Sequence, residues 1–280
     1  MTQAASQSPV VVGADHSTAA AQAVRWAAEQ ARRRGVPLRI VRAGETGGSE
    51  LFPQGVFDGV TVTGVVSAEA PLKVLLSEAA TARMLVLGPV GDGEVQGVPF
   101  GSLPSRLAGH AACPVAVVPE AGSGSVRELG DRSAAVREGG NDPVVAGIDG
   151  GPTSEAVLDA AFDEAASREV PLVAVHAWSD AEFEDGPRYI GWEPVAEAEH
   201  RVLGENLTAW QEKYPDVPVR RIAVRARPRH LLLEWSRRAQ LVVIGSRGRG
   251  GFPGLALGST AQALVQYGHG PVLVVPSTGR

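Results

Sequence analysis

The chain repeats itself, and that repeat constrains the fold more than any other feature. Pro9–Val41 reads PVVVGADHSTAAAQAVRWAAEQARRRGVPLRIV and Pro143–Val175 reads PVVAGIDGGPTSEAVLDAAFDEAASREVPLVAV. At a fixed offset of 134, 12 of these 33 positions are identical. Ala82–Pro119 and Ala239–Pro276 match in the same way, with 14 of 38 positions identical at an offset of 157. Two gap-free blocks in the same order point to a duplicated domain. The second half carries 157 − 134 = 23 more residues between its blocks, and an extra helix is expected over about 194–214. Expected boundaries are a first domain over 1–119, an exposed Gly/Ser/charged linker over 120–142 and a second domain over 143–280.

Within each half, short apolar runs alternate with helical periodicity. Valine-rich runs at Pro9–Gly13 and Pro143–Gly147 suit strands buried on both faces. Ala20, Val24, Ala27 and Ala31 fall on one helical face, and Leu158, Ala161 and Ala165 keep that face apolar in the copy. Gly35 is placed to end the first helix. Further strands are expected at Leu38–Val41, Val60–Val66, Met84–Leu87 and Pro114–Val118. Their copies are Leu172–Val175, Val219–Val224, Leu241–Ile244 and Pro271–Val275. Helices are expected over about 72–82 and 230–239 and from Ser102 and Ser259 onward. The expectation is an α/β protein with two open five-stranded parallel sheets and helices on both faces.

Composition excludes several classes. The chain is 44% hydrophobic and 20% charged with net charge −5, which argues against nucleic-acid partners. No run approaches the roughly 20 apolar residues of a membrane span, and MTQAASQSP lacks the parts of a signal peptide, so a cytoplasmic protein is expected. Lys73 and Lys213 are the two lysines. Neither follows glycine, so no G-K-[ST] phosphate loop occurs. Cys113 is the single cysteine and reads as a buried thiol. The six histidines show no metal spacing, and His176 reads as a packing residue.

In an open parallel sheet, ligands bind beyond the carboxyl ends of the strands. Strand four of half two ends in Gly245-Ser246-Arg247-Gly248, and nine residues later Gly258-Ser259-Thr260 opens a helix. Half one has Gly88-Pro89-Val90-Gly91, then nine residues, then Gly101-Ser102. Glycines let backbone N–H groups approach phosphate, and a helix start with hydroxyls adds donors. Asp149 and Asp15, ending strand one, suit either helix capping or a ligand.

The spacing G-x-x-G-(nine)-G-[ST], Asp149 and the ends PVLVVP and PVAVVP resemble the universal stress protein family, with two such domains covering nearly the whole chain. The resemblance implies strand order 3-2-1-4-5 in a Rossmann-like sheet and ATP or AMP held by the strand-four loop. It implies that Gly147, Ile148, Asp149 and Ala177 surround adenine and ribose. Ile244, Gly245, Arg247, Gly248, Gly258, Ser259 and Thr260 would hold ribose and phosphates. Arg249 adds charge that can screen phosphate. Half one keeps Asp15, Gly88, Gly91, Gly101 and Ser102 but places Asp92 and Glu94 at or beside the arginine positions, and Pro89 where half two has Ser246. It is expected to bind more weakly, with Arg42 as an alternative phosphate partner. The expected role is an ATP-dependent stress sensor or regulator that is not an enzyme, with ATP bound with or without Mg2+. A slow ATPase or other nucleotide-dependent enzyme, and a dimerisation module with vestigial sites, stay open. The valine-rich fifth strands, Val115–Val118 and Val272–Val275, are expected to pair the two halves within one chain, because exposed edges are covered or paired. Other surfaces stay available for a homodimer.

Overall fold

A computed structural model describes residues 8–44, 59–89, 102–120, 142–178, 193–249 and 255–277. The chain divides into two compact units, Met1–Arg137 and Glu138–Arg280.

In the first unit, β1 (Val10–Gly13) leads into α1 (Thr18–Arg34), β2 (Leu38–Ala43), β3 (Val62–Ser67), α2 (Pro71–Ala79), β4 (Met84–Leu87), α3 (Leu103–His110) and β5 (Val115–Val117). Every described pairing is parallel and the order is β3-β2-β1-β4-β5. The second unit repeats this plan as β6 (Val144–Gly147), α4 (Ser154–Arg168), β7 (Leu172–Trp178), α5 (Glu193–Lys213), β8 (Val219–Arg225), α6 (Pro228–Trp235), β9 (Leu241–Gly245), α7 (Ser259–Tyr267) and β10 (Val272–Val275). Its order is β8-β7-β6-β9-β10, again parallel. Both units therefore have the order 3-2-1-4-5. Equivalent registers recur: Val10 pairs with Leu38 as Val144 pairs with Leu172.

The chain runs outward from β1 to β3, then returns past β1 to β4. With right-handed crossovers this reversal puts α1 on one face and α2 and α3 on the other. The valines of the central strands are fully buried, as a sheet covered on both faces requires. Ala20, Val24, Ala27 and Ala31 line the buried side of α1, and Leu158, Ala161 and Ala165 that of α4. Gly13 and Gly147 sit where those strands pass under a helix. A β-carbon at Gly147 would stand 2.8 Å from Leu232 of α6 and 3.0 Å from Ile244, and one at Gly13 would stand 2.9 Å from Leu87.

The 23 additional residues of the second half accommodate α5, which packs beside α4. Phe162 of α4 is fully buried and stacks on Tyr214 with ring centroids 5.5 Å apart. Trp210 donates its indole N–H to Asp159 at 2.8 Å. Leu203 and Leu207 are buried beneath.

Two termini show how local chemistry shapes the copies. Gly35 closes α1 in the left-handed region at φ 59° and donates its N–H to the carbonyls of Ala31 and Arg32. Glu169 occupies the same place after α4 at φ 56°, where a β-carbon is unfavourable by roughly 1–2 kcal/mol. Glu169→Gly is therefore expected to stabilise the second unit by about 1 kcal/mol, measurable as a raised urea midpoint.

The second difference is at a sheet edge. Ser246 donates its N–H to Val275 at 2.8 Å, and the ladder between β9 and β10 continues to Gly245 and Val275. The aligned residue in the first unit is Pro89, which has no N–H. There the β4–β5 ladder stops at Leu87 and Val117.

Candidate functional site

Each sheet reverses its direction of winding between its central strand and the fourth, so the loops leaving those two strands diverge and open a crevice above the carboxyl ends. In the second unit that position falls between the turns after β6 and β9. Ile148, just past β6, is buried and donates its N–H to Val175 at 2.9 Å. His176 is buried too, with Nδ1 2.8 Å from the Ile148 carbonyl oxygen. It fixes that carbonyl, in line with a packing role. Ala177, one residue on, is half-buried.

Asp149 joins the two turns. Its Oδ1 accepts the Gly151 N–H at 2.8 Å and the Ser154 hydroxyl at 3.3 Å. Its Oδ2 accepts the Arg249 N–H at 2.6 Å. It is not the α4 N-cap residue; that position belongs to Thr153, whose side chain makes no capping bond. The turn after β9 is thus held from the β6 side by Asp149. From the β10 side it is held by Ser246, which is buried at 3% exposure. Besides its N–H bond to Val275, Ser246 accepts the Gly258 N–H on its carbonyl at 2.8 Å and the Ser277 N–H on its hydroxyl at 3.1 Å.

The three motif glycines differ in what surrounds them. A β-carbon at Gly245 would stand 2.9 Å from Thr153 Cγ2 and 3.0 Å from the Arg247 carbonyl. At Gly248 it would stand 2.5 Å from Asp149 Oδ2, where it would break the clamp. At Gly258 the nearest atom would be 3.5 Å away, an ordinary contact. Gly258 caps α7 with φ −73° and ψ 157° and no side-chain cap, leaving the first-turn amides without a side-chain acceptor. Ser259 is exposed at the first helical position, Thr260 is half-exposed, and Ile244 is buried below. Arg247 is half-buried. The exposed Arg249 has its guanidinium over Gly150 and its Cγ beside Gly151. The structure thus brings Asp149, Gly245, Arg247, Gly248, Arg249 and Gly258 around one turn. Gly147 lies one layer lower, facing Leu232 and Ile244.

The first unit has the frame without the same clamps. Asp15 Oδ1 accepts the Ser17 N–H at 2.9 Å and its hydroxyl at 2.5 Å, and Ser17 caps α1. Gly88 faces the aligned residue Ala19, but a β-carbon there would stand 3.4 Å away, an ordinary contact. Ser102 is spent on its own helix: it caps α3 and faces Ser105 Oγ at 3.1 Å. Arg42 is buried at the end of β2. Glu120, aligned with Ser277, accepts the Thr18 hydroxyl at 2.5 Å. Gly91, Asp92, Glu94 and Gly101 lie outside the described residues. The roles of Ser246 and Thr153 and the placement of the Arg249 side chain were not anticipated from sequence. The signal for Ser246 was its exchange for proline; Thr153 had none.

No group of three or more His, Cys, Asp or Glu among the described residues could hold a metal, and no helix there is long and apolar enough to cross a membrane. Cys113 is buried, and desolvation pushes its thiol up to about 11. It is therefore expected to stay unmodified by iodoacetamide at pH 8 until the chain is unfolded; rapid native-state alkylation, read by mass spectrometry, would contradict this.

Two units, each with five parallel strands in the order 3-2-1-4-5, and a glycine turn described at the switch point of the second, define a tandem doubly wound α/β protein. The chain belongs to the universal stress protein family, whose model matches residues 8–55, 49–119 and 140–276. It is 37% identical to a universal stress protein of Mycobacterium tuberculosis, over 95% of this chain and 94% of the relative. A second from the same organism is 35% identical, over 95% of each. The solved structure of a universal stress protein from Archaeoglobus fulgidus has the same fold, with a TM-score of 0.63 at 16% identity, covering 97% of each chain.

Proposed function

We propose that the second unit binds an adenine nucleotide, ATP, at the carboxyl ends of β6, β7 and β9, and that the chain acts as a stress-response sensor or regulator, not a catalyst. One observation carries this reading. The turn Gly245–Arg249 is clamped from both sides, by Ser246 and Asp149, beside the start of a helix that has no side-chain cap. Such a turn is already held in shape for an anion to approach its backbone, and the α7 dipole favours an anion there.

Gly147, Ile148, Asp149 and Ala177 would border the base and ribose. Ile244, Gly245, Arg247, Gly248, Arg249 and Gly258 would border ribose and phosphates, with Ser259 and Thr260 supplying hydroxyls. Asp149 already accepts three protein hydrogen bonds, so a Mg2+ accompanying ATP would be held by phosphate oxygens and water. The first unit would bind weakly. Pro89 removes the donor and hydroxyl that Ser246 supplies, and the Ser102 hydroxyl caps its own helix. ATP would act by favouring the state in which the clamped turn is ordered.

The test is denaturation of the purified full chain followed by identification of the released nucleotide. One adenine nucleotide per chain is expected. Nucleotide-free protein that also fails to bind ATP in titration would refute the reading. Steady turnover with Mg2+ would move the assignment to an ATPase.

A further inference from the structure

We propose that Asp149 and Arg249 are positioning residues, forming a strap that ties the turn after β9 to the turn after β6 and sets how long a nucleotide stays in the second unit. The strap stands on the protein's own contacts; its effect on retention rests on the nucleotide reading above.

The strap has two attachments. The Arg249 backbone N–H is held by Asp149 Oδ2 at 2.6 Å. The Arg249 side chain then crosses the turn after β6. A β-carbon at Gly150 would fall on Arg249 Nη2, with Cζ 2.9 Å and Nε 3.3 Å away, and one at Gly151 would be 3.4 Å from Arg249 Cγ. The guanidinium therefore lies against bare backbone, in a place that a side chain at Gly150 would occupy. Asp149 grips the same turn through the Gly151 N–H, so one carboxylate serves both turns.

The sequence supports a matched set. Half two has Gly150-Gly151 with Arg249; half one has His16-Ser17 with Asp92 at the aligned positions. Gly150 takes φ +70°, whereas His16 has no positive φ. The first unit thus passes from strand to helix without a glycine there. In the second unit the glycine pair both permits the positive φ at Gly150 and leaves room for the arginine. Arg249 reaches this place with a planar, forked head group, which the compact ammonium of a lysine does not reproduce.

The test is a double-mutant cycle in the full chain with Gly150→Asn and Arg249→Ala, with Arg249→Lys as a third variant. Asparagine tolerates positive φ better than other side chains, so eviction of the arginine is separated from backbone strain. Two readouts are used. Hydrogen exchange of a peptide covering Ser246–Arg249 in nucleotide-free protein reports the strap itself. Displacement of a fluorescent ATP analogue reports its dissociation and association rates.

Each single substitution is expected to speed exchange about tenfold, and the double variant no further, because both remove one interaction. Dissociation of the analogue should accelerate by a similar factor with little change in association, and Arg249→Lys should behave like Arg249→Ala. The strap is overturned if the two substitutions multiply, if Arg249→Ala leaves exchange unchanged, or if Arg249→Lys restores retention, which would make the arginine a simple phosphate charge. If the parent chain binds no nucleotide, the binding assignment falls while the exchange cycle still decides the strap.

Discussion

Gly258→Asp is expected to lower ATP affinity about a hundredfold without destabilising the chain. A carboxylate about 4 Å from a phosphate charge opposes it by ~4 kcal/mol at an effective dielectric near 20, and a hundredfold loss corresponds to about 2.7 kcal/mol. The fold should accept the substitution. A β-carbon there meets nothing closer than 3.5 Å. The backbone angles at Gly258 suit any residue, and aspartate is a favoured N-cap for a helix such as α7. Loss of binding could not then be blamed on unfolding, as it could for Gly248→Val, whose side chain collides with Asp149. Gly258→Asn keeps the shape without the charge and should lose much less. Calorimetric titration with thermal unfolding of the same samples is the measurement. Unchanged affinity in Gly258→Asp would place the nucleotide elsewhere.

Phe162→Ala is expected to destabilise the second unit by about 3–5 kcal/mol. Phe162 is fully buried on α4, and its ring is the platform on which Tyr214 stacks at the end of α5. The aligned residue in the first half is Ala28, in the half that lacks the 23 additional residues. Removing the ring leaves a cavity and unseats the end of α5, where Trp210 and Lys213 share Asp159 Oδ1 at 2.8 and 3.4 Å. With two units in the chain a single unfolding transition cannot be assumed, so the loss is best read by hydrogen exchange of α5 peptides along a urea series. A change below about 1 kcal/mol would mean that α5 is held by its other contacts.

The parts of the fold written in the sequence are those with a short period. Ala20, Val24, Ala27 and Ala31 mark the buried face of α1 because a helix returns every 3.6 residues. The valine runs mark strands buried on both faces. Helix starts were less legible. Helices expected over 72–82 and 230–239 begin instead at Pro71 and Pro228, where proline's fixed φ suits the first helical turn. They stop earlier too, at Ala79 and Trp235. At the candidate site, the glycine spacing located the turn but not what holds it. Ser246 touches residues 12, 29 and 31 positions away. Asp149 reaches Arg249 across 100 residues. Such contacts depend on strand register, which no local pattern encodes. Gly147 shows the converse: a side chain there would force Leu232 or Ile244 to shift, so a glycine at a strand end carries a packing demand whether or not a ligand approaches.

The early stop of the β4–β5 ladder has a consequence for the order in which substitutions can act. Beyond Leu87 the ladder lacks one rung that the second unit keeps, because Pro89 has no N–H to supply it. The two glycine frames match in spacing along the sequence, yet the chain leaving β4 lacks the backbone bond and the hydroxyl by which Ser246 holds the turn after β9. Supplying charge to the first half through Asp92→Arg would therefore add an arginine beyond a strand end that lacks both of these ties. Pro89→Ser has to come first, because it returns the N–H that extends the ladder and the hydroxyl that secures the turn. The effect of the arginine is then conditional on the serine, so the two substitutions should gain affinity only together, and a route through the arginine alone should show no gain.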